Sequence, residues 1–137
     1  MYSLRDYQLA AIDGLRAAYR AGHRSVLLVA PTGSGKTVCA AEVMRASVSR
    51  GRKCMFLAHR KELIDQCAAK LEAAGITPGL IRPGIEEDGT RPVQVASVQT
   101  LIRRPWWRFW APDLVVCDEA HHLVAGENTW GRIIEWF

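Results

Sequence analysis

The chain has 137 residues, 49% of them apolar, which suffices to bury one sizeable core and falls in the usual size range of a single domain. Its formal net charge of +4 comes mostly from arginine, 14 against 4 lysines; this admits an anionic partner without requiring one, because a solvated basic face is the commoner arrangement. No apolar run approaches the length of a bilayer span and residues 1–6 lack the apolar core of a signal peptide, so a soluble, cytoplasmic protein with no membrane partner is expected.

In chain order, Ile12, Leu15 and Tyr19 recur at helical spacing and Gly22 stands where a C-cap glycine belongs, predicting a helix over residues 6–21. Residues 25–30 (Ser-Val-Leu-Leu-Val-Ala) read as a strand buried on both faces of a parallel sheet. A glycine-containing loop follows and ends at Lys36. Val38, Ala41, Met44 and Val48 then mark one face of a second helix, up to Gly51. Residues 53–58 are a second buried strand. Residues 61–74 form a third helix with Ile64, Cys67, Ala68 and Leu71 on one face and Gly75 as the stop. Residues 79–82 and 93–97 are plausible strands flanking a polar loop, 83–92, and 114–117 is the last strand. This alternation predicts an α/β fold, a mainly parallel sheet covered by helices. Cys39, Cys54, Cys67 and Cys117 are 15, 13 and 50 residues apart, with no C-x-x-C pair; they read as small, reduced core residues and not as a zinc or redox site.

Two segments carry chemistry. Ala30-Pro31-Thr32-Gly33-Ser34-Gly35-Lys36-Thr37 follows a predicted strand and opens a predicted helix, the context of a phosphate-binding loop. Gly33 and Gly35 allow the backbone to approach closely, so that successive N–H groups, with Thr32 and Ser34 in the same loop, face the phosphates at a helix N-terminus. Lys36 supplies a point charge to the β- and γ-phosphates, and the Thr37 hydroxyl is a ligand for Mg²⁺. Further on, 82 residues beyond Lys36, the apolar run Leu114-Val115-Val116-Cys117 delivers Asp118 and Glu119, and ligands of open α/β sheets bind at that edge. Asp118 is the candidate holder of Mg²⁺; Glu119 is the candidate orienter and base for the water attacking the γ-phosphate.

With His121 after Ala120 the acidic box reads D-E-A-H, and together with the phosphate loop it resembles superfamily 2 DEAD/DEAH-box helicases, close to type III restriction subunits and RadD-like repair proteins. Ala30 departs from the general glycine at the first loop position, a departure common in that superfamily. The resemblance implies the first RecA-like domain of a P-loop NTPase, a three-layer sandwich that binds ATP and Mg²⁺. It also implies that His122 couples the nucleotide site to the next motif and that residues 4–8 (Leu-Arg-Asp-Tyr-Gln) read adenine. In that segment Gln8 offers an amide to the base edge and Arg5 a guanidinium to stack on it. Residues 56–66 resemble motif Ia, with Arg60 at a nucleic-acid phosphate and Glu62 and Gln66 supporting the loop. Residues 95–101 resemble motif Ib, with Ser97 and Thr100 at a second phosphate. Ordinary strand-to-helix capping is the bland alternative for both.

The expected function is therefore an ATP-dependent nucleic-acid helicase or translocase, with DNA preferred to RNA as partner and ATP hydrolysis as its reaction. The resemblance runs from Leu4 to His122. The expectation for residues 1–137 is a partial domain, incomplete at its C-terminus before motif III, with the second RecA-like domain and its arginine finger absent and hence with little turnover of its own. Two alternatives stand beside it: the motor subunit of a restriction or defence system, and an inactive binding or interaction module. Residues 103–110 (Arg-Arg-Pro-Trp-Trp-Arg-Phe-Trp) remain apart from these motifs. They suit either stacking on single-stranded bases or a helix that packs its tryptophans on the domain, and packing is favoured because large aromatics are ordinarily core or interface residues.

Overall fold

The computed structural model describes residues 6–22, 36–117 and 133, apart from the side chains of residues 7, 8, 11 and 36. Three helices of ordinary length, α1 (Asp6–Arg20), α2 (Lys36–Ser49) and α3 (Lys61–Ala73), alternate with strands β1 (Cys54–Ala58), β2 (Gly79–Ile81), β3 (Val93–Ser97) and β4 (Leu114–Cys117). A one-turn helix α4 (Val98–Leu101) and a 3-10 helix (Pro105–Trp110) lie between β3 and β4. The strands form one parallel sheet in the order β2-β3-β1-β4, so the α/β architecture read from the alternation is the one found. The strand predicted over residues 25–30 lies outside the described residues.

Alternation along the strands explains the layers. Cys54, Phe56 and Ala58 of β1 and Val93 and Val95 of β3 face one way and pack with Met44 of α2 and with Ile64, Cys67 and Leu71 of α3. Met55 and Leu57, with Ala96 of β3 and Ile81 of β2, face the other way and pack with Val98, Leu101, Trp107 and Ile133. Every residue of β1 and β3 is buried, as expected of central strands covered on both sides. At about 25 cal/mol per Å² of apolar surface, each of the larger apolar side chains among them, Met55, Phe56, Leu57, Val93 and Val95, contributes roughly 1.5–3 kcal/mol relative to leaving it in water.

The predicted boundaries hold to within about one residue. Helix α3 ends at Ala73, and Gly75 beyond it has φ +87°, a left-handed conformation that costs a side-chain-bearing residue energy and glycine almost nothing. Strand β2 stops at Ile81, one residue early; Arg82 turns its guanidinium to Asp65 of α3 at 3.0 Å. Cys39, Cys54 and Cys67 are buried and Cys117 is half-buried, all four as free thiols, matching the expectation of small reduced core residues. The tryptophan segment divides: Trp107 is buried, while Trp106 and Phe109 are exposed. Among the described residues no helix is long and apolar enough to cross a membrane.

Candidate functional site

The candidate site lies along the carboxyl edge of the sheet. Parallel pairing puts Ala58, the last residue of β1, in register with Ser97, the last of β3, and Leu57 in register with Cys117, the last of β4. The segments after all three strands therefore begin at one edge. His59 and Arg60 follow β1, Val98 and Gln99 follow β3, and residue 118 follows β4 in the sequence. Helix α2 opens with Lys36 and packs against both β1 and β4; Thr37, in its first turn, is half-buried.

Arg60 is exposed and takes extended backbone (φ −103°, ψ 141°) as the N-cap of α3, with no side-chain cap bond. Its carbonyl accepts from the N–H groups of Leu63 and Ile64 at 3.1 and 3.2 Å, while its guanidinium belongs to the exposed surface of the loop. Glu62 and Gln66, one helical turn apart, are exposed as well. Ser97 is the N-cap of α4, and its hydroxyl donates to Gln99 Oε1 at 3.0 Å. Gln99 Nε2 in turn lies 2.6 Å from His59 Nδ1, a pairing in which the amide donates to the ring nitrogen. Ser97, Gln99 and His59 thus form one chain of side chains joining the loop after β1 to the turn after β3. Thr100 is only 8% exposed, and Val98 and Leu101 of the same turn are buried as well.

His59 and Gln99 are the two members of this edge that their positions in the sequence did not single out. Each belongs to a segment read as a phosphate-contacting motif, but only the register of β1 against β3 brings together residues 40 positions apart. On α2, Glu42 holds Arg45 through Nε at 2.9 Å and Nη2 at 2.5 Å; that hydrogen-bonded guanidinium keeps the Glu42 carboxyl below its usual range. At the end of β4, burial pushes the Cys117 thiol up to about 11.

The other sequence-derived candidates, Arg5, Thr32, Gly33, Ser34, Gly35, Asp118, Glu119 and His122, lie outside the described residues. Gln8 falls in the first turn of α1 and Lys36 at the first position of α2.

Residues 1–137 match the profile of the family described as "Type III restriction enzyme, res subunit". The putative ATP-dependent helicase IRC3 of Saccharomyces cerevisiae is 36% identical over 148 residues, covering 98% of this chain and 21% of its own length. The probable helicase HelY of Mycobacterium tuberculosis is 33% identical over 130 residues, covering 90% of this chain and 14% of its own. The chain thus spans 21% or less of these two relatives. Among solved structures, a nuclease-deletion mutant of the Type ISP restriction-modification enzyme LlaGI, in complex with a DNA substrate mimic, superposes with a TM-score of 0.52 at 22% identity, over 85% of this chain and 12% of that one. At that identity the likeness is one of fold, and it agrees with the parallel sheet described above. The chain belongs to the type III restriction enzyme res-subunit family, the group of superfamily 2 helicase domains that its phosphate loop and acidic box resemble.

Proposed function

We propose that the chain is the first RecA-like domain of an ATP-dependent helicase or translocase that works on nucleic acid, DNA in preference to RNA. The observation that carries the reading is the shared edge: the parallel register of β1, β3 and β4 ends the three strands together, so that the Arg60 loop and the Ser97–Thr100 turn start at the edge where β4 ends. Helix α2, which opens with Lys36 and Thr37, packs on two of those strands. A motor needs this arrangement, because the nucleotide's hydrolysis must be felt by the loops that hold the strand.

In this reading the backbone N–H groups of Gly33–Thr37, with Thr32 and Ser34, cradle the triphosphate and Lys36 neutralises its β- and γ-oxygens. Arg5 and Gln8 hold the adenine. Thr37 and Asp118 are the candidate ligands of Mg²⁺. One hydroxyl and one carboxylate suit an ion that keeps several of its waters and is bound by few protein groups, and the packing of α2 on β4 supports their nearness. When bound, the ion offsets charge on the phosphate oxygens. Glu119 orients the attacking water and accepts its proton, and His122 relays the state of the site. Arg60, Ser97 and Thr100 hold nucleic-acid phosphates without reading bases.

The test is ATP hydrolysis measured with and without single-stranded DNA, duplex DNA and RNA, in a protein that carries this domain. The reading predicts Mg²⁺-dependent hydrolysis that nucleic acid stimulates and Glu119→Gln abolishes. Hydrolysis that persists in Glu119→Gln, or that no nucleic acid changes, would count against it. The restriction-family match also favours a more specific form, the motor subunit of a restriction or defence system, for which duplex DNA is the expected stimulant.

A further inference from the structure

The 3-10 helix Pro105–Trp110 is the one motif of the sequence that the nucleotide and backbone contacts leave unused. Side chains three residues apart eclipse each other in a 3-10 helix, so its six residues form three rows. Trp107 and Trp110 make the inner row: Trp107 is buried and its Nε1 donates to Glu87, while Trp110 Nε1 donates to the Gly89 carbonyl at 3.1 Å and its ring lies 5.0 Å beneath Lys53 Nζ. Trp106 and Phe109 make an outer row, 59% and 76% exposed, with about 6 Å of helix rise between them. Arg108, in the row of Pro105, lies against the Phe109 ring, its Cζ 4.9 Å from the centroid. Exposed Arg103 precedes the helix, and residues 103–111 contain no acid. Of the neighbouring loop's three carboxylates, Glu87 is held by Arg104 and Asp88 by Arg91, while Glu86 is exposed.

We infer that this outer face is a stacking platform for unpaired bases of a single-stranded nucleic acid, with Trp106 and Phe109 under successive bases and Arg103 and Arg108 at the flanking phosphates. Charge complementarity selects the occupant: two exposed π-faces beside Arg103 and Arg108, which form no ion pair among the described residues, suit a polyanion whose bases are free to stack. A duplex offers the phosphates but not the base faces. The inner row holds the platform rigid before any strand arrives, which lowers the ordering cost of binding. The inference rests on the reading of the chain as a nucleic-acid motor only for the class of ligand; it uses none of Arg60, Ser97 or Thr100.

The experiment is fluorescence anisotropy of a labelled oligothymidylate and a labelled duplex hairpin, titrated with the 137-residue chain over a range of salt, for wild type, Trp106→Ala/Phe109→Ala, Trp106→Phe/Phe109→Tyr and Arg60→Ala. The platform predicts that the double alanine variant loses about 10-fold or more on the single strand and little on the duplex. Its salt slope should stay unchanged, since that slope counts phosphates. The aromatic-to-aromatic variant should keep most of the affinity, which separates stacking from a folding defect. Unchanged single-strand affinity in the alanine variant overturns the platform, while a loss in Arg60→Ala would leave the motor reading standing. Equal losses on single strand and duplex also overturn it. Self-association that the alanine variant abolishes, with nucleic-acid binding intact, would assign the face to a second copy of the chain. Failure of the wild-type chain to bind either oligomer overturns platform and motor reading together.

Discussion

Glu87 is the side chain whose removal should most clearly loosen the second layer of the domain. Its two oxygens accept from Arg104 Nη1 and from the indole N–H of Trp107, each at 2.5 Å, and so tie the loop 83–92 to the 3-10 helix. Trp107 is 5% exposed, and in Glu87→Ala its N–H has no acceptor and no ready access to water. Leaving such a donor unmade costs about 1–3 kcal/mol. The ion pair with Arg104 involves side chains about one quarter exposed, 25% and 22%, and adds about 0–1 kcal/mol. The expected loss is thus about 1–4 kcal/mol, a large share of the roughly 5–15 kcal/mol that stabilises a domain. Glu87→Gln keeps one good acceptor and should lose about half as much. Urea unfolding followed by tryptophan fluorescence reads this directly: the midpoint should fall by about 1 M or more in Glu87→Ala, with an unchanged slope. Midpoints equal to wild type in both variants would refute the role given to Glu87.

Gly79→Ala should be costly for a different reason, since an added Cβ would meet Gln94 Oε1 at 2.3 Å, and that fully buried amide is pinned by bonds to the Asp88 and Arg91 carbonyls. A loss of about 1–3 kcal/mol is expected, largely recovered in Gly79→Ala/Gln94→Ala; simple additivity in the double variant would show that the two do not meet. The Cys54 and Cys117 thiols, each raised by burial to about 11 from an ordinary value of 9.0, should react slowly with a disulfide reagent at pH 8 in the folded chain, and fully buried Cys54 only after unfolding. Because the unfolded chain ionises these thiols first, their contribution to stability should be intact below about pH 9 and lost as pH rises toward 11; thermal melts across that range would show the fall, and rapid labelling of the folded chain would contradict the burial. Gln99→Ala cuts the link between His59 and Ser97 and should weaken nucleic-acid binding by a few-fold, the scale of one hydrogen bond, with nucleotide affinity unchanged; equal affinity by anisotropy would leave the link a local structural detail.

Much of the fold was legible because buried parallel strands announce themselves. Val93–Ser97 and Leu114–Cys117 are short apolar runs, each preceded by a chain-breaking element, Pro92 or Pro112-Asp113, and the structure starts both strands where those breaks end. The order of strands was not legible, since register depends on contacts between residues far apart in sequence. For the same reason the Gln99–His59 pairing escaped notice, although both residues stood in view. For the tryptophan segment the favoured expectation was a helix packing its tryptophans on the domain, with stacking on single-stranded bases as the alternative. The 3-10 repeat of three instead sends Trp107 and Trp110 inward and Trp106 and Phe109 out.

The central claim, that this chain binds a nucleoside triphosphate through the loop ending at Lys36 and Thr37, is tested most directly by equilibrium binding of a fluorescent ATP analogue and of adenosine. The comparison needs wild type and Lys36→Ala, each with and without Mg²⁺. The account predicts that Lys36→Ala weakens the triphosphate by about 10-fold or more, on the scale of a charge-assisted phosphate contact, and leaves adenosine nearly unaffected; Mg²⁺ should tighten only the triphosphate. Equal losses for both ligands, or triphosphate binding indifferent to Lys36 and to Mg²⁺, would contradict it.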